Sequence, residues 1–200
     1  MQTKKTLLTI VFSLTIIGAG CNTTTENQTN KTTKNTETNT LVKAEPMKYK
    51  DFKMGITLYY PADWKTQGQD NGSIIFYPKN QENLADKTGT NLGLSTQDLS
   101  KFPPVTLDQY TEIIKADTLK RLTNANIIST EKITIGGLEG AVMTYTATYP
   151  NLTDKTMKVR HAYVLKEKTA YLLTYTATTE NFDTYVESTK EIVSSFKFDN

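Results

Sequence analysis

Cysteine, histidine and paired carboxylates carry most protein chemistry, and this chain has one cysteine, Cys21, and one histidine, His161. His161 could ligate a metal or carry a proton. A metal centre needs a cluster of ligands, and a serine-nucleophile triad needs a Gly-x-Ser-x-Gly elbow that is absent here. In register with Val159 and Tyr163 on an apolar face, His161 reads as a histidine hydrogen-bonded at the core margin. Asp70-Asn71-Gly72 has the opening of a calcium loop without its distal glutamate at the required spacing, and reads as a turn. Glycosidase carboxylates are defined by separation in space, which spacing in sequence does not give. Trp64 closes a strand-stop motif and reads as a core lid. Lys155, Lys158, Arg160, Lys166 and Lys168 form either a positive patch facing anionic lipid or an acidic partner, or a solvated sheet edge protected by lysines; the edge is the preferred reading. These residues predict a protein that is not an enzyme and uses no cofactor or metal.

Cys21 is different, because its neighbours say what its thiol meets. Lys4 and Lys5 are followed by an apolar run from Leu7 to Ile17, then Gly18-Ala19-Gly20, then the cysteine. A charged start, an apolar stretch and small residues at a cleavage point are the parts of a signal peptide. The run is too short to span a bilayer, which takes about 20 apolar residues. Small residues directly before a lone cysteine resemble the lipobox of bacterial lipoproteins. The resemblance implies cleavage after residue 20 and acyl chains on Cys21, anchoring the chain to the cell membrane or outer membrane on the extracytoplasmic side. Two or three acyl chains make release very slow. No thiol is then left for a disulfide, so an apolar core must hold the fold alone.

Charge follows the same cut. Basic residues number 23 and acidic residues 21; loss of Lys4 and Lys5 leaves 21 of each. A neutral chain outside the cytoplasm is a poor nucleic-acid binder. Residues 22–40 contain only Thr, Asn, Lys, Glu and Gln and have nothing apolar to bury, so 21–46 reads as a lipidated cysteine on a disordered tether. As a flexible coil it would reach roughly 25–30 Å. Residues 47–200 are of a size for one domain.

The elements that must position these side chains alternate between β and α patterns. Ile56, Leu58 and Tyr60 share one face of a strand that Pro61 stops. Ser73 to Tyr77, Asn91 to Ser95 and Ile127 to Ile135 follow as strands. Ala141, Met143, Tyr145, Ala147 and Tyr149 face one way, and Val142 with three threonines the other, predicting a threonine-rich outer face. Met157 to Leu165 and Tyr171 to Tyr175 continue an antiparallel meander. Thr106-Leu107-Asp108-Gln109 has capping-box spacing for a helix with Tyr110, Ile113, Ile114 and Leu122 on its apolar stripe. A second helix is expected from Thr179 to Ser194. The fold class is α+β, an antiparallel β-sheet flanked by helices.

Three segments then point to a family. Gly55 to Trp64, with Tyr60-Pro61-Ala62-Asp63-Trp64, looks like the opening strand and Tyr-Pro-x-x-Trp motif of PsbP-like domains. Ala170 to Tyr175 resembles their last strand, and Ile192-Val193-Ser194-Ser195-Phe196 their closing helix end. The resemblance implies an α/β/α sandwich and the company of the extrinsic subunit of photosystem II, its lipidated cyanobacterial relatives and bacterial lipoproteins of the DcrB and LpqN type. The plant subunit's ion-retaining N-terminal segment is replaced here by the Thr/Asn tether, so no metal-binding residue carries over. The expectation is a lipid-anchored, non-enzymatic binding or assembly module for an unidentified membrane-protein partner. Two alternatives are a small-ligand carrier, with a pocket between sheet and helices lined by Tyr145, Tyr163 and Tyr175, and a photosystem-associated protein in a photosynthetic host.

Overall fold

A computed structural model describes residues 44–80, 89–149 and 153–199. Cys21, the leader and the tether through residue 43 lie outside the described residues. The strands are β1 (Met47–Asp51), β2 (Ile56–Tyr60), β3 (Trp64–Gly68), β4 (Ile74–Pro78), β5 (Asn91–Asp98), β6 (Thr123–Ile135), β7 (Leu138–Thr148), β8 (Thr156–Lys166), β9 (Thr169–Thr178) and β10 (Lys197–Phe198). The helices are α1 (Leu107–Arg121) and α2 (Phe182–Ser195). The α+β class and its antiparallel sheets are as expected.

The large sheet has seven strands in the order β3-β4-β5-β9-β8-β7-β6, and a small sheet has the order β1-β2-β10. Every neighbouring pair is antiparallel. Register rows run straight across the centre. Ala141 is opposite Tyr163 and Tyr163 opposite Leu172, and the next row places Val142, Ala162 and Leu173 together. Adjacent rows point to opposite faces. The first row packs under α1 with Tyr110 and Ile114. The second packs under α2 and the small sheet with Ile56, Leu58, Ile192 and Phe196.

The outer face predicted for β7 is therefore a second inner face. Val142 is buried, and Thr144, Thr146 and Thr148 are half-buried. The alternation of β7 was readable, but the layer covering its polar side was not, because β1 and β10 are short and β1 is interrupted by lysines. The edge strand β3, mostly polar apart from Trp64, escapes notice for the same reason.

Helix α1 starts where its cap demands. The Gln109 N–H donates to Thr106 Oγ1 at 3.2 Å, and the Thr106 N–H donates to Gln109 Oε1 at 2.9 Å, so two otherwise orphaned donors are satisfied. Helix α2 begins at Phe182, three residues later than expected, after a turn in which the Asn181 N–H bonds the Thr178 carbonyl. The long tyrosines are buried with partners. Tyr110 donates to Gln97 at 2.6 Å, Tyr163 to Thr111 Oγ1 at 2.9 Å and Tyr175 to the Phe182 carbonyl at 2.7 Å. Each ring contributes roughly 1.5–3 kcal/mol by leaving water, and its hydroxyl bond removes the penalty of an unpaired polar group.

Gly140 shows how closely neighbouring strands approach. A Cβ there would stand 2.6 Å from the Tyr163 carbonyl oxygen on β8. Gly140→Ala must push two paired strands apart, and an overpacking cost of about 1–3 kcal/mol is expected. Urea unfolding followed by circular dichroism should show a lowered midpoint with an unchanged slope. An unchanged midpoint would refute the contact.

Candidate functional site

His161 on β8 is fully enclosed. It is 1% exposed, its Nδ1 shares a 2.7 Å hydrogen bond with Thr174 Oγ1 on β9, and its ring lies 5.5 Å from that of Tyr163. Burial pushes its pKa down to about 4, so the ring is neutral at physiological pH. No described group of three His, Cys, Asp or Glu residues could hold a metal around it or elsewhere. Its surroundings are those of a core histidine, deeper than the margin expected.

The three tyrosines of the carrier reading do not share a cavity. Tyr145 and Tyr163 lie on the α1 face and Tyr175 on the α2 face, and each is at most 1% exposed. The sheet separates them and packed side chains surround them, so they form no common pocket between sheet and helices. The odd spacing between β8 and β9 residues had hidden this, because the hairpin turn reverses the parity of the faces. Burial raises the hydroxyl pKa of all three, as expected of core phenols.

The basic residues are also dispersed. Strand β8 is flanked by β9 and β7, so its lysines do not guard a sheet edge. Lys158 Nζ lies 4.3 Å from the Phe182 ring and 3.5 Å from Asp183. Arg160 is half-buried near Glu131 and Glu187. Lys166 sits 4.5 Å over the Phe198 ring at the far end of the strand. Long aliphatic stems covering apolar surface explain this spread better than a patch. Asp70-Asn71-Gly72 is the turn it was expected to be. Asn71 Oδ1 accepts from the Ser73 N–H and hydroxyl, and Gly72 takes φ +80°.

Trp64 is 3% exposed and packs edge-on to Tyr185 of α2, with ring centres 6.0 Å apart. The other two motif segments meet it. Ile56, Leu58 and Trp64 from the first, Leu173 and Tyr175 from the second, and Ile192, Val193 and Phe196 from the third form one buried cluster. The Tyr59 N–H donates to Ser195 Oγ at 2.8 Å, and that hydroxyl lies 2.8 Å from the Ile192 carbonyl. The motifs are thus three sides of a single packing unit. Beside that unit opens a groove of about 690 Å³ between β2 and α2, lined among others by Glu45, Tyr59, Pro61, Asp63, Glu191 and Ser195. Sequence reasoning missed it; its signal was Tyr59, an aromatic out of phase with the buried Leu58 and 37% exposed.

A family model described as PsbP-like protein matches residues 7–198. The chain belongs to the PsbP-like family. Among solved structures, the cyanobacterial PsbP (CyanoP) of Synechocystis sp. PCC 6803 is similar at 16% identity and a TM-score of 0.55, over 81% of this chain and 97% of that one. A Pseudomonas aeruginosa protein of unknown function, a putative regulator, is similar at 15% identity and a TM-score of 0.53, over 76% and 96%. LpqN of Mycobacterium tuberculosis, described as involved in cell envelope biogenesis, is similar at 13% identity and a TM-score of 0.53, over 78% and 91%. These likenesses are of fold. No curated protein matches the chain. In this PsbP-like chain the recognised motifs are packing residues, and the surface beside them is where a specific role can differ.

The burial of His161 has a measurable consequence. As pH falls through about 6.5, the unfolded chain takes up a proton at this residue, and the folded chain does so only near about 4. Stability is therefore full above about 6.5 and is lost on acidification across that window, by at most about 3 kcal/mol from this group. Chemical denaturation from pH 7 to 4 should show a shallower loss in His161→Gln than in the parent. Parallel profiles would show that the ring is not held neutral.

Proposed function

We propose that this PsbP-like chain is a membrane-anchored extracytoplasmic lipoprotein that serves as a non-enzymatic binding or assembly module for a membrane-protein complex. The observation that carries the reading is Cys21, placed directly after a charged, apolar and small-residue leader. The lone histidine, enclosed in the core, and the generally non-enzymatic character of the family support the absence of catalysis. Among the described residues no helix is long and apolar enough to cross a membrane, so attachment in this reading falls to the lipid. The envelope role given for LpqN agrees in compartment.

The mechanism is local concentration. A body held at one membrane face meets an embedded partner as though tethered to it, and a weak contact becomes effective without new interactions. The groove beside Tyr59 is the surface offered, with Glu45, Asp63 and Glu191 at its walls, and its acidic lining suits a basic loop of the partner.

Two measurements test this. Cells fed radiolabelled palmitate should label the parent chain and leave Cys21→Ala unlabelled; an unlabelled parent ends the anchoring claim. Crosslinking in native membranes should give a discrete partner that is lost in an Asp63→Lys, Glu191→Lys double variant, with a fall in yield of about tenfold. Retention of the same adduct in that variant would remove the groove from the interface.

A further inference from the structure

Phe52 caps the turn between β1 and β2 and is 85% exposed, far more than the other large apolar side chains described. The Lys50 ammonium lies 4.9 Å from the ring centre, and a ring this exposed buries little apolar surface of its own. Yet the turn that holds it is tightly built. Asp51 Oδ1 accepts the N–H groups of Lys53 and Met54, both at 2.9 Å, and its other oxygen accepts the Tyr49 hydroxyl. Tyr171 donates across from β9 to the Met54 carbonyl at 3.2 Å, and the Asp199 N–H bonds the Gly55 carbonyl at 2.8 Å. Gly55 supplies the φ of +64° that closes the turn. The ring is therefore presented on a preorganised tip.

Lysines surround it. Lys50 and Lys197 stand on the strands next to the tip, Lys53 on the tip itself, and Lys166 and Lys168 at the β8–β9 turn, while Lys48 stands further back opposite Tyr59. The acids among them are Asp51, Asp98, Glu167 and Asp199, with Asp98 beside Lys168 and accepting the Ser100 N–H at 2.7 Å. Asp51 is occupied by the turn, and Asp199 by Lys50 at 3.2 Å and Thr57 at 2.8 Å. The acidic groove lies at the opposite end of the β1–β2 hairpin, where Lys48 and Lys79 accompany Glu45, Asp63 and Glu191, so lysines predominate at the tip and carboxylates at the groove in a chain whose basic and acidic totals nearly cancel.

We infer that the β1–β2 tip docks on an anionic lipid surface, with Phe52 entering the headgroup boundary and the surrounding lysines meeting lipid phosphates. An aromatic side chain among cations is the pattern of interfacial binding. A protein partner is less well served. A single apolar side chain on a convex turn falls well short of the roughly 800 Å² per side of a standard interface. The inference rests on the membrane location proposed above, and it adds an orientation to it: the domain lies with its hairpin tip down, and the groove at the other end faces away from the lipid.

The test uses the full-length chain carrying Phe52→Trp, on vesicles containing brominated lipid. The native Trp64, 3% exposed, supplies a constant background that the parent chain measures, and its unchanged emission reports an intact fold. With equal parts phosphatidylglycerol and phosphatidylcholine, the new tryptophan should shift to the blue and be quenched at least about threefold more than on pure phosphatidylcholine. Adding Lys53→Glu and Lys168→Glu should bring quenching down to the neutral-vesicle level. A water-like, unquenched emission on both vesicles overturns the proposal, as does equal quenching on both, or protection that appears only when membrane proteins are added. Flotation of Cys21→Ala is scored separately. A parent that floats through its lipid while the tip stays unquenched overturns the docking alone, and a parent that fails to float overturns the anchor.

Discussion

Strands β8 and β9 carry apolar side chains on both faces, and water has to be kept from both at once. The pair Ala162 and Leu173 faces α2, and the neighbouring pair Tyr163 and Leu172 faces α1. A single covering layer would leave half of this surface exposed. The chain meets the requirement with two helices and a small second sheet, and β2 and β10 fill the area that α2 alone does not cover. With a single cysteine in the sequence, no internal disulfide ties these layers together and packing does the whole task. Tyr110, Tyr163 and Tyr175 join the layers at defined points, since each of these hydroxyls has a partner at short range on another element.

That constraint explains why a family signature survives in a chain whose solved neighbours are at most 16% identical among those compared. The residues that mark the family are those that close the α2 side, from Ile56 to Trp64 at one end of the sequence and from Ile192 to Phe196 at the other. They specify how layers fit and leave open what the surface does. The groove is lined by the outward-facing side chains of these same segments, Tyr59, Asp63 and Ser195 among them, and the hairpin tip flanks them. A change in Glu191 or Phe52 leaves the core untouched, so these places are free to acquire a role.

Much of the fold was legible because its periodicities are strong. The alternation of β7 and β8 and the Thr106–Gln109 box placed a sheet and a helix without ambiguity. What could not be read had weak local signals. Strand β10 has two residues and exists only because β2 is there to pair with it. Tyr175 followed the pattern of Tyr163 in sequence and lies on the other side of the sheet, because a tight turn fixes pairing but inverts which residues share a face. His161 showed its apolar company but not its depth, which depends on α1 passing overhead. Phe52 gave no signal at all, since exposure at a turn is a property of the assembled shape.

The small sheet joins residues far apart in the chain. Thr57 bonds Asp199 across 142 positions, and Tyr59 bonds Ser195 across 136. At a ribosomal pace of about 5–20 residues per second, the first hairpin waits roughly 7 to 30 s for β10 to be synthesised. Through that interval Ile56 and Leu58 lack their final cover. The α2 side of the core is consequently the last to close, since it needs residues 195–199, whereas the seven-stranded sheet needs nothing beyond Thr178.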